Sequence, residues 1–456
     1  MACSKIESVL YRDFFSTAKM REIWDDCSII QYWLDTEAAL AESQAEMGII
    51  PVEIAKEIVK KAKVENLDLD AIRDEVNRIG HSLVPTLREF QKKCDGKAGE
   101  YIHLGATTQD IIDMGFILAA KKAFDVVYED LYEVEELLVN LAEEHKNTIM
   151  AGRTHGQQAL PITFGYKAAV WASEIHRHLE RMEECKKRDF VGQLSGAVGT
   201  LASFGDRALE LQERVMSKLD LMVPDISWHA SRDRIVSIVS VLAMITGSLG
   251  KIGNEIVSLQ KTECSELAEP WADGVVGSST MPHKRNPGAT EGMVTLSKFV
   301  KGSLVTIHEA LFQEHERDGA FWKIEWVALP EAFIYTGATL AKAKKVLKGL
   351  VVNKKKMEQN LDILKGLLLS EAAMLHLGEK LGKQTAHEVV YEISMKAFKD
   401  DASFKQYLLD DPRVSKYFTA GDLDKILDPH AYTGFSRQLA ERVVTNIRKA
   451  RVEKGQ

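Results

Sequence analysis

A chain of 456 residues can bury a large core and form two or three domains. Its 59 lysines and arginines against 67 aspartates and glutamates give a net charge of −8, which argues against nucleic acid or an anionic membrane as the main partner. The five cysteines form no CxxC pair, so we expect free thiols in a reducing cytoplasm rather than a disulfide framework.

The first region, residues 1–105, is predicted to be an N-terminal helical domain. It begins with MACSKIESVLYRDF, which lacks a continuous apolar core, so we expect no signal peptide. It ends in the polar stretch from Gly96 to Gly105.

Two adjacent hydroxyl groups, Thr107 and Thr108, follow Gly105 just before the next helical pattern. Thr108 is a plausible N-cap, so one interpretation of the segment is a helix start and nothing more. A helix start also presents unpaired N–H groups, which can bind a carboxylate. On this segment alone, the cap is the simpler interpretation.

Two long segments carry apolar residues at three- and four-residue steps, the spacing of helices. In the first, Lys121 to His145, acidic residues lie between the apolar ones and predict a solvated face. The second, Ile235 to Leu259, is apolar nearly all round, which predicts a helix in the centre of a bundle. Its small residues would let neighbouring helices approach closely: Ala243, Gly247, Gly250 and Gly253.

The most apolar stretch of the chain, Ile235 to Leu249, is interrupted by Ser237, Ser240 and Thr246. We expect it to be too short to span a bilayer and to belong to a protein core. No membrane partner is therefore expected.

A polar segment from Gly152 to Gln158 lies between the helix ending near Lys146 and Pro161, and it is interpreted as a loop. It carries His155. A lone histidine in a loop is more often structural than catalytic, although imidazole ionises near neutral pH and suits a general acid.

The densest run of polar side chains is Gly277 to Pro287, with the sequence GSSTMPHKRNP. Pro282 and Pro287 disfavour helix, so the run is predicted to be a loop. Its hydroxyls, Lys284 and Asn286 suit a multiply anionic ligand, although a solvated basic turn is the alternative.

A lysine-rich break at Lys354 to Lys356 opens the last region. We predict an all-α protein with a central long-helix bundle at 106–355 and a C-terminal helical domain at 356–456. Because no HExxH, CxxC or GxGxxG motif occurs, we expect neither a metal nor a nucleotide cofactor.

The string GSSTMPHKRNP resembles the signature loop of the fumarase/aspartase superfamily, and most closely the adenylosuccinate lyase and 3-carboxy-cis,cis-muconate cycloisomerase branches. The segments from Tyr101 to Asp110, Gly152 to Gly165 and Ser195 to Thr200 resemble further blocks of that family. The resemblance implies a three-domain helical fold, a small dicarboxylate substrate and no cofactor. It also implies a homotetramer whose sites are shared between subunits.

The same motifs imply the roles of individual residues. Ser278 matches the base that removes a proton beside a carboxylate, and His155 matches the general acid, which Glu291 would orient. A serine is a poor base, so its alkoxide needs stabilisation, for which Lys284 and the amides around Gly277 are candidates. The implied substrate-binding residues are Lys284, Asn286, Thr107, Thr108, Gln158, Arg317 and His81.

The branch stays open at this point. His155 favours β-elimination from a succinyl-substituted nitrogen, with adenylosuccinate as the first substrate. The segments from Trp228 to Arg234 and from Glu314 to Trp326 look more like the cycloisomerase branch. A third alternative is a non-catalytic structural protein on the same scaffold, against which the retention of all the implied catalytic residues speaks.

Overall fold

The computed structural model describes residues 5–271, 274 and 276–454, and it is predominantly helical, as the sequence predicts. The chain forms two compact units, each made of three segments. The first unit contains Met1–Leu131, His178–Gly250 and Gly292–Ala341, and the second contains Tyr132–Arg177, Lys251–Glu291 and Lys342–Gln456. The sequential domains 1–105, 106–355 and 356–456 remain a prediction.

Short and medium helices form the N-terminal part of the first unit. The Leu34 and Phe90 side chains are buried in its apolar core, against which Trp322 and Trp326 pack. The helices are α1 (Arg12–Phe15), α2 (Ala18–Trp24), α3 (Asp26–Glu46), α4 (Val52–Lys61), α5 (Leu69–Ile79) and α6 (Val84–Lys93).

Long helices follow, and they confirm both predicted helical segments. The segment from Lys121 to His145 lies, except for His145, in a helix that already begins at Thr108, and the segment from Ile235 to Leu259 is a helix in full. These helices are α7 (Thr108–Glu144), α8 (Phe164–Asp189), α9 (Ala208–Lys218), α10 (Asp233–Gln260), α11 (Gly288–His308) and α12 (Gly319–Lys348).

Helix α10 is the most apolar of these helices. By length and composition its 28 residues could cross a membrane, which corrects the expectation that the apolar stretch is too short. However, 67% of its most apolar window is buried inside the protein, the pattern of a core helix. A Cβ at Gly250 would lie 2.5 Å from Ser297 Oγ, so the predicted close approach occurs there, whereas Gly247 has open space around it.

The second unit contains the C-terminal helices, whose core includes Leu377, Val389, Ile393 and Phe404. A pair of two-residue strands, β3 (Leu267–Ala268) and β4 (Val351–Val352), also belongs to this unit. The helices are α13 (Lys354–Asn360), α14 (Ser370–Leu381), α15 (Lys383–Lys399), α16 (Phe404–Asp410), α17 (Pro412–Ser415), α18 (Ala420–Ile426) and α19 (Ser436–Glu453).

The segment predicted as a loop at 152–158 is instead part of an antiparallel hairpin. Strand β1 (Ile149–Thr154) pairs with β2 (Gln157–Thr163), and the register shifts between Ala151 and Arg153. The prediction failed because this segment shows no apolar alternation, while backbone pairing across the hairpin supplies the hydrogen bonds that a loop would lack.

Candidate active site

In the first unit, the structure brings together four predicted substrate-binding residues. Arg317 Nη1 donates to Thr107 Oγ1 at 2.9 Å, and Thr108 Oγ1 lies 3.5 Å from His81 Nε2. Thr108 is the first residue of α7 rather than the residue before it, so the expected cap position is one residue earlier, at Thr107. These residues place two hydroxyls, an imidazole and a guanidinium at the start of a long helix.

His81 also caps a helix. The backbone N–H groups of Leu83 and Val84 donate to its Nδ1, at 3.3 and 3.1 Å, at the start of α6. Because Nδ1 accepts these bonds, the ring proton resides on Nε2, which faces Thr108. Only Nε2 can therefore donate to a ligand while the cap is in place.

A residue that we did not single out, Asp110, holds this corner together. It is buried and accepts from the backbone N–H groups of Thr107, Ser195 and Gly196 at 2.9 to 3.0 Å. Its Oδ1 also lies 2.9 Å from His229 Nε2. The signal was available, since Asp110 closes the motif that contains both threonines and occupies the first turn of a helix, where a carboxylate is favoured.

A second buried carboxylate supports the same segment from α3. The Oε1 atom of Glu37 lies 2.7 Å from His103 Nδ1, and its Oε2 accepts the His103 N–H at 2.9 Å. Burial opposes protonation, but the hydrogen bond and the charge of Glu37 outweigh it and raise the pKa of His103. His103 has a φ of 65°, so the pair anchors a strained turn just before Gly105.

In the second unit, His155 lies at the tip of the β1–β2 hairpin. His155 and Gly156 have φ values of 52° and 77°, so both turn residues are left-handed, as in a type I′ turn. The His155 side chain is exposed at this tip.

A cluster of polar side chains binds the hairpin to neighbouring segments of the second unit. Arg153 donates bidentately to the buried carboxylate of Glu266 at 2.9 and 2.6 Å. Asn360 Nδ2 donates to Glu266 at 2.8 Å, and Gln158 Nε2 donates to the Asn360 carbonyl at 2.9 Å. Although burial opposes the charge of Arg153, Glu266 raises its pKa. Gln158, predicted to bind substrate, thus has a structural partner.

A groove of about 990 Å³ runs beside the hairpin within the second unit. Its wall combines the buried Trp171 ring with charged groups, among them the Lys167–Glu255 ion pair at 2.6 Å. Hairpin residues Thr154 and Gly156 line its edge, and no residue of the Gly277–Pro287 loop does. The groove therefore lies next to His155, the expected acid, and is not lined by Ser278, the expected base.

The Gly277–Pro287 segment is a loop, as predicted. The Oγ atom of Ser278 accepts from the backbone N–H groups of Met281 at 3.0 Å and Thr280 at 3.3 Å. These two amides join Lys284 and the amides around Gly277 as candidate donors to an alkoxide at Ser278.

The other polar side chains of the loop have different environments. Asn286 Nδ2 donates to the Gly277 carbonyl at 2.7 Å, so the carboxamide closes the loop. A Cβ on Gly277 would lie 2.2 Å from the Lys284 carbonyl oxygen and 2.6 Å from the Trp271 ring. The Lys284 side chain is exposed and is free to meet an anion.

Glu291, the expected partner of His155, is exposed in the first turn of α11. Within the described part of this chain, the Glu291 carboxylate and the His155 ring form no hydrogen bond with each other. Elsewhere in the described residues, no group of three or more histidines, cysteines or acidic residues is arranged to hold a metal ion.

Comparisons with known families cover most of the chain. A family model described as Lyase matches residues 15–302, and one described as adenylosuccinate lyase C-terminus matches residues 366–443.

Curated relatives align over almost the whole length. The N-acetyl-S-(2-succino)cysteine lyase of Dickeya dadantii (strain 3937) is 45% identical, over 97% of this chain and 98% of that protein. The adenylosuccinate lyase of Methanocaldococcus jannaschii is 39% identical, over 95% of each chain.

A solved structure matches at the level of the fold and of the sequence. The crystal structure of the 3-carboxy-cis,cis-muconate lactonizing enzyme from Pseudomonas putida superposes with a TM-score of 0.91 at 35% identity. The alignment covers 97% of this chain and 99% of that chain.

Proposed function

The chain belongs to the fumarase/aspartase superfamily of lyases, and we propose that it releases fumarate from an S-(2-succino) thioether by cofactor-independent β-elimination. The observation that carries the choice of a thiol is the 45% identity, over 97% of this chain, to an N-acetyl-S-(2-succino)cysteine lyase. The first proposed substrate is therefore this thioether rather than adenylosuccinate. The bond that breaks is a carbon–sulfur bond rather than the carbon–nitrogen bond expected from the sequence.

Ser278 is the proposed base. Its oxygen removes a proton from the succinyl carbon next to one carboxylate, and the electrons of that C–H bond spread into the carboxylate as an aci-carboxylate. The amides of Thr280 and Met281 support this role, because two N–H donors aimed at Oγ stabilise its anionic form at no cost of reorganisation.

Lys284, Asn286, Thr107, Thr108 and Arg317 are the proposed ligands of the substrate carboxylates. The exposed ammonium of Lys284 is free to neutralise the charge that develops on the aci-carboxylate. The α7 helix start supports the same purpose, since its two hydroxyls and the positive end of the helix dipole suit an anion.

His155 is the proposed general acid. As the carbon–sulfur bond breaks and the double bond of fumarate forms, the sulfur receives the proton of the imidazolium. His155 occupies a left-handed turn position, where asparagine or glycine would fit with less strain. The presence of a histidine at this strained position supports a catalytic role for its side chain. A thiolate is a good leaving group, with a thiol pKa of about 8.5, so it depends less on this proton than an amine does.

A homotetramer with shared sites is the proposed assembly, with Glu291 of another subunit orienting His155. The groove beside His155 supports it, because the lining contains no part of the Ser278 loop. Mixing Ser278→Ala and His155→Gln proteins after reversible dissociation should restore activity if acid and base come from different chains. No recovery, or a monomer in light scattering, would refute shared sites.

The substrate is tested with S-(2-succinyl)-N-acetylcysteine and adenylosuccinate side by side. We expect fumarate and one equivalent of free thiol from the first compound, and Ser278→Ala should abolish turnover while binding remains measurable. Fumarate from adenylosuccinate alone would replace the thiol substrate, and full activity of Ser278→Ala would remove the serine from the mechanism.

Adenylosuccinate is the second candidate, favoured by the match of residues 366–443 to the adenylosuccinate lyase C-terminus. The lactonising reaction is tested in the same assay with 3-carboxy-cis,cis-muconate, and inactivity on every compound would favour a non-catalytic protein. We also propose a cytoplasmic location, which the free thiols of Cys27, Cys94, Cys185 and Cys264 support.

A further inference from the structure

We propose that Gln260 is a positioning residue for the loop that carries Ser278, because its side chain ties together Glu269 and Arg285, the two ends of the segment 269–285 that contains Ser278. The inference rests on the proposed function, in which Ser278 is the base. Gln260 lies outside the signature motif, as the last residue of α10.

The carboxamide of Gln260 uses its donor and its acceptor on opposite ends of this segment. Its Oε1 accepts the backbone N–H of Glu269 at 2.9 Å, and its Nε2 donates to the backbone carbonyl of Arg285 at 3.1 Å. Glu269 precedes the loop and Arg285 is close to its end. One side chain, held by the end of a buried long helix, therefore sets the distance between the two ends.

A second tie runs through the carboxylate of Glu269. It accepts hydrogen bonds from the backbone N–H of Ala289 and from both the N–H and the hydroxyl of Thr290, in the first turn of α11. The end that Gln260 holds is thus also fixed to the helix that follows the loop. The Arg285 guanidinium lies over the Trp271 ring, with the carbon 5.1 Å from the ring centroid, and adds a contact between the two ends.

Among the described residues of this chain, few contacts other than these ties hold the loop that carries Ser278. Met281, Lys284 and Asn286 are exposed, and the hydrogen bonds around Ser278 are local. Asn286, next to Arg285, donates to Gly277, next to Ser278, so a shift of Arg285 is transmitted directly to the base. Loss of the Gln260–Arg285 bond should therefore displace Ser278 without unfolding the unit.

The variant Gln260→Glu tests the hydrogen bond to Arg285 separately from the hydrogen bond to Glu269. A glutamate keeps an acceptor for the Glu269 N–H but loses the donor to Arg285 and sets a carboxylate oxygen against its carbonyl oxygen. Gln359→Glu is the matched control, since Gln359 is an exposed residue of α13 in the same unit and the charge change is identical.

The experiment measures kcat and KM with S-(2-succinyl)-N-acetylcysteine, backbone amide hydrogen exchange over residues 276–286, and the unfolding temperature. For Gln260→Glu we expect kcat to fall by about tenfold to a hundredfold, the scale of a misplaced reacting group, with a smaller change in KM. Exchange over 276–286 should rise and the unfolding temperature should stay that of Gln359→Glu.

Unchanged exchange or unchanged kcat in Gln260→Glu would overturn the inference, whatever Ser278→Ala does. Full turnover of Ser278→Ala, by contrast, would overturn the proposed function, while the exchange data would still report whether Gln260 holds the loop.

Discussion

The Asp110 corner and the Ser278 loop carry the same kind of polar chemistry in opposite physical settings. Around Asp110, buried groups satisfy one another, and the carboxylate accepts from three backbone amides and faces His229. Around Ser278 the side chains are mostly exposed, and the hydrogen bonds join residues two to nine positions apart.

The difference shows how each half of the proposed site is kept in place. Buried, fully bonded groups are costly to disturb, so the Thr107–Thr108 corner should be fixed by the same interactions that stabilise the first unit. The loop contributes little to stability and owes its shape to close backbone approach and to its tied ends. Changes in the first region should therefore reduce stability, and changes in the second should reduce activity alone.

The largest effect is expected from Asp110→Ala. It leaves two buried N–H groups, one partly buried N–H group and His229 Nε2 without their acceptor, at about 1–3 kcal/mol each, so the free energy of unfolding should fall by at least about 3 kcal/mol. Urea denaturation measures it, with Asp206→Ala, an exposed change in the same unit, as the control. Equal stability of the two variants would show that the corner is held by other contacts.

Gly277→Ala should have the opposite effect to Asp110→Ala, with a loss of activity and little change in stability. The new methyl group would collide with the Lys284 carbonyl and the Trp271 ring, so kcat should fall by about tenfold to a hundredfold through displacement of Ser278. Gly288→Ala, where the methyl group meets nothing within 4 Å, is the control. Steady-state kinetics and thermal unfolding test this, and a large loss of stability in Gly277→Ala would break the contrast between the regions.

The smallest effect is a pH dependence from the His103–Glu37 pair. The pKa of His103 is raised in the folded state, so the pair stabilises fully below the unfolded-state pKa of about 6.5. That contribution is lost as the pH rises through the raised folded-state value. Glu37→Gln keeps an acceptor for the His103 N–H but removes the charge.

We therefore expect the stability difference between the wild type and Glu37→Gln to be largest in mildly acidic solution and to shrink as the pH rises. Urea denaturation across that range measures it. A difference that does not depend on pH would mean that the charge of Glu37 contributes nothing to holding the turn.

Sequence reasoning worked where the signal is local. The apolar spacing predicted the helices at Lys121–His145 and Ile235–Leu259, and the signature loop predicted both the fold and the superfamily. It failed for the hairpin at His155. This hairpin is held by backbone pairing between β1 and β2 around a left-handed turn, and its sequence from 152 to 158 shows no apolar alternation that would indicate a strand. The assignment of the substrate came from whole-chain similarity, since the motifs are compatible with several leaving groups.

By itself, the sequence determined that Lys121–His145 and Ile235–Leu259 carry long helices and that 277–287 is a polar loop, since periodicity and proline act over a few residues. Only the tertiary structure decided that Asp110 gathers amides from positions 107, 195 and 196, and that Gln260 joins the two ends of the loop. A buried carboxylate or carboxamide takes whatever donors the fold brings within about 3 Å, and such partners, far apart in the chain, leave no periodic trace in it.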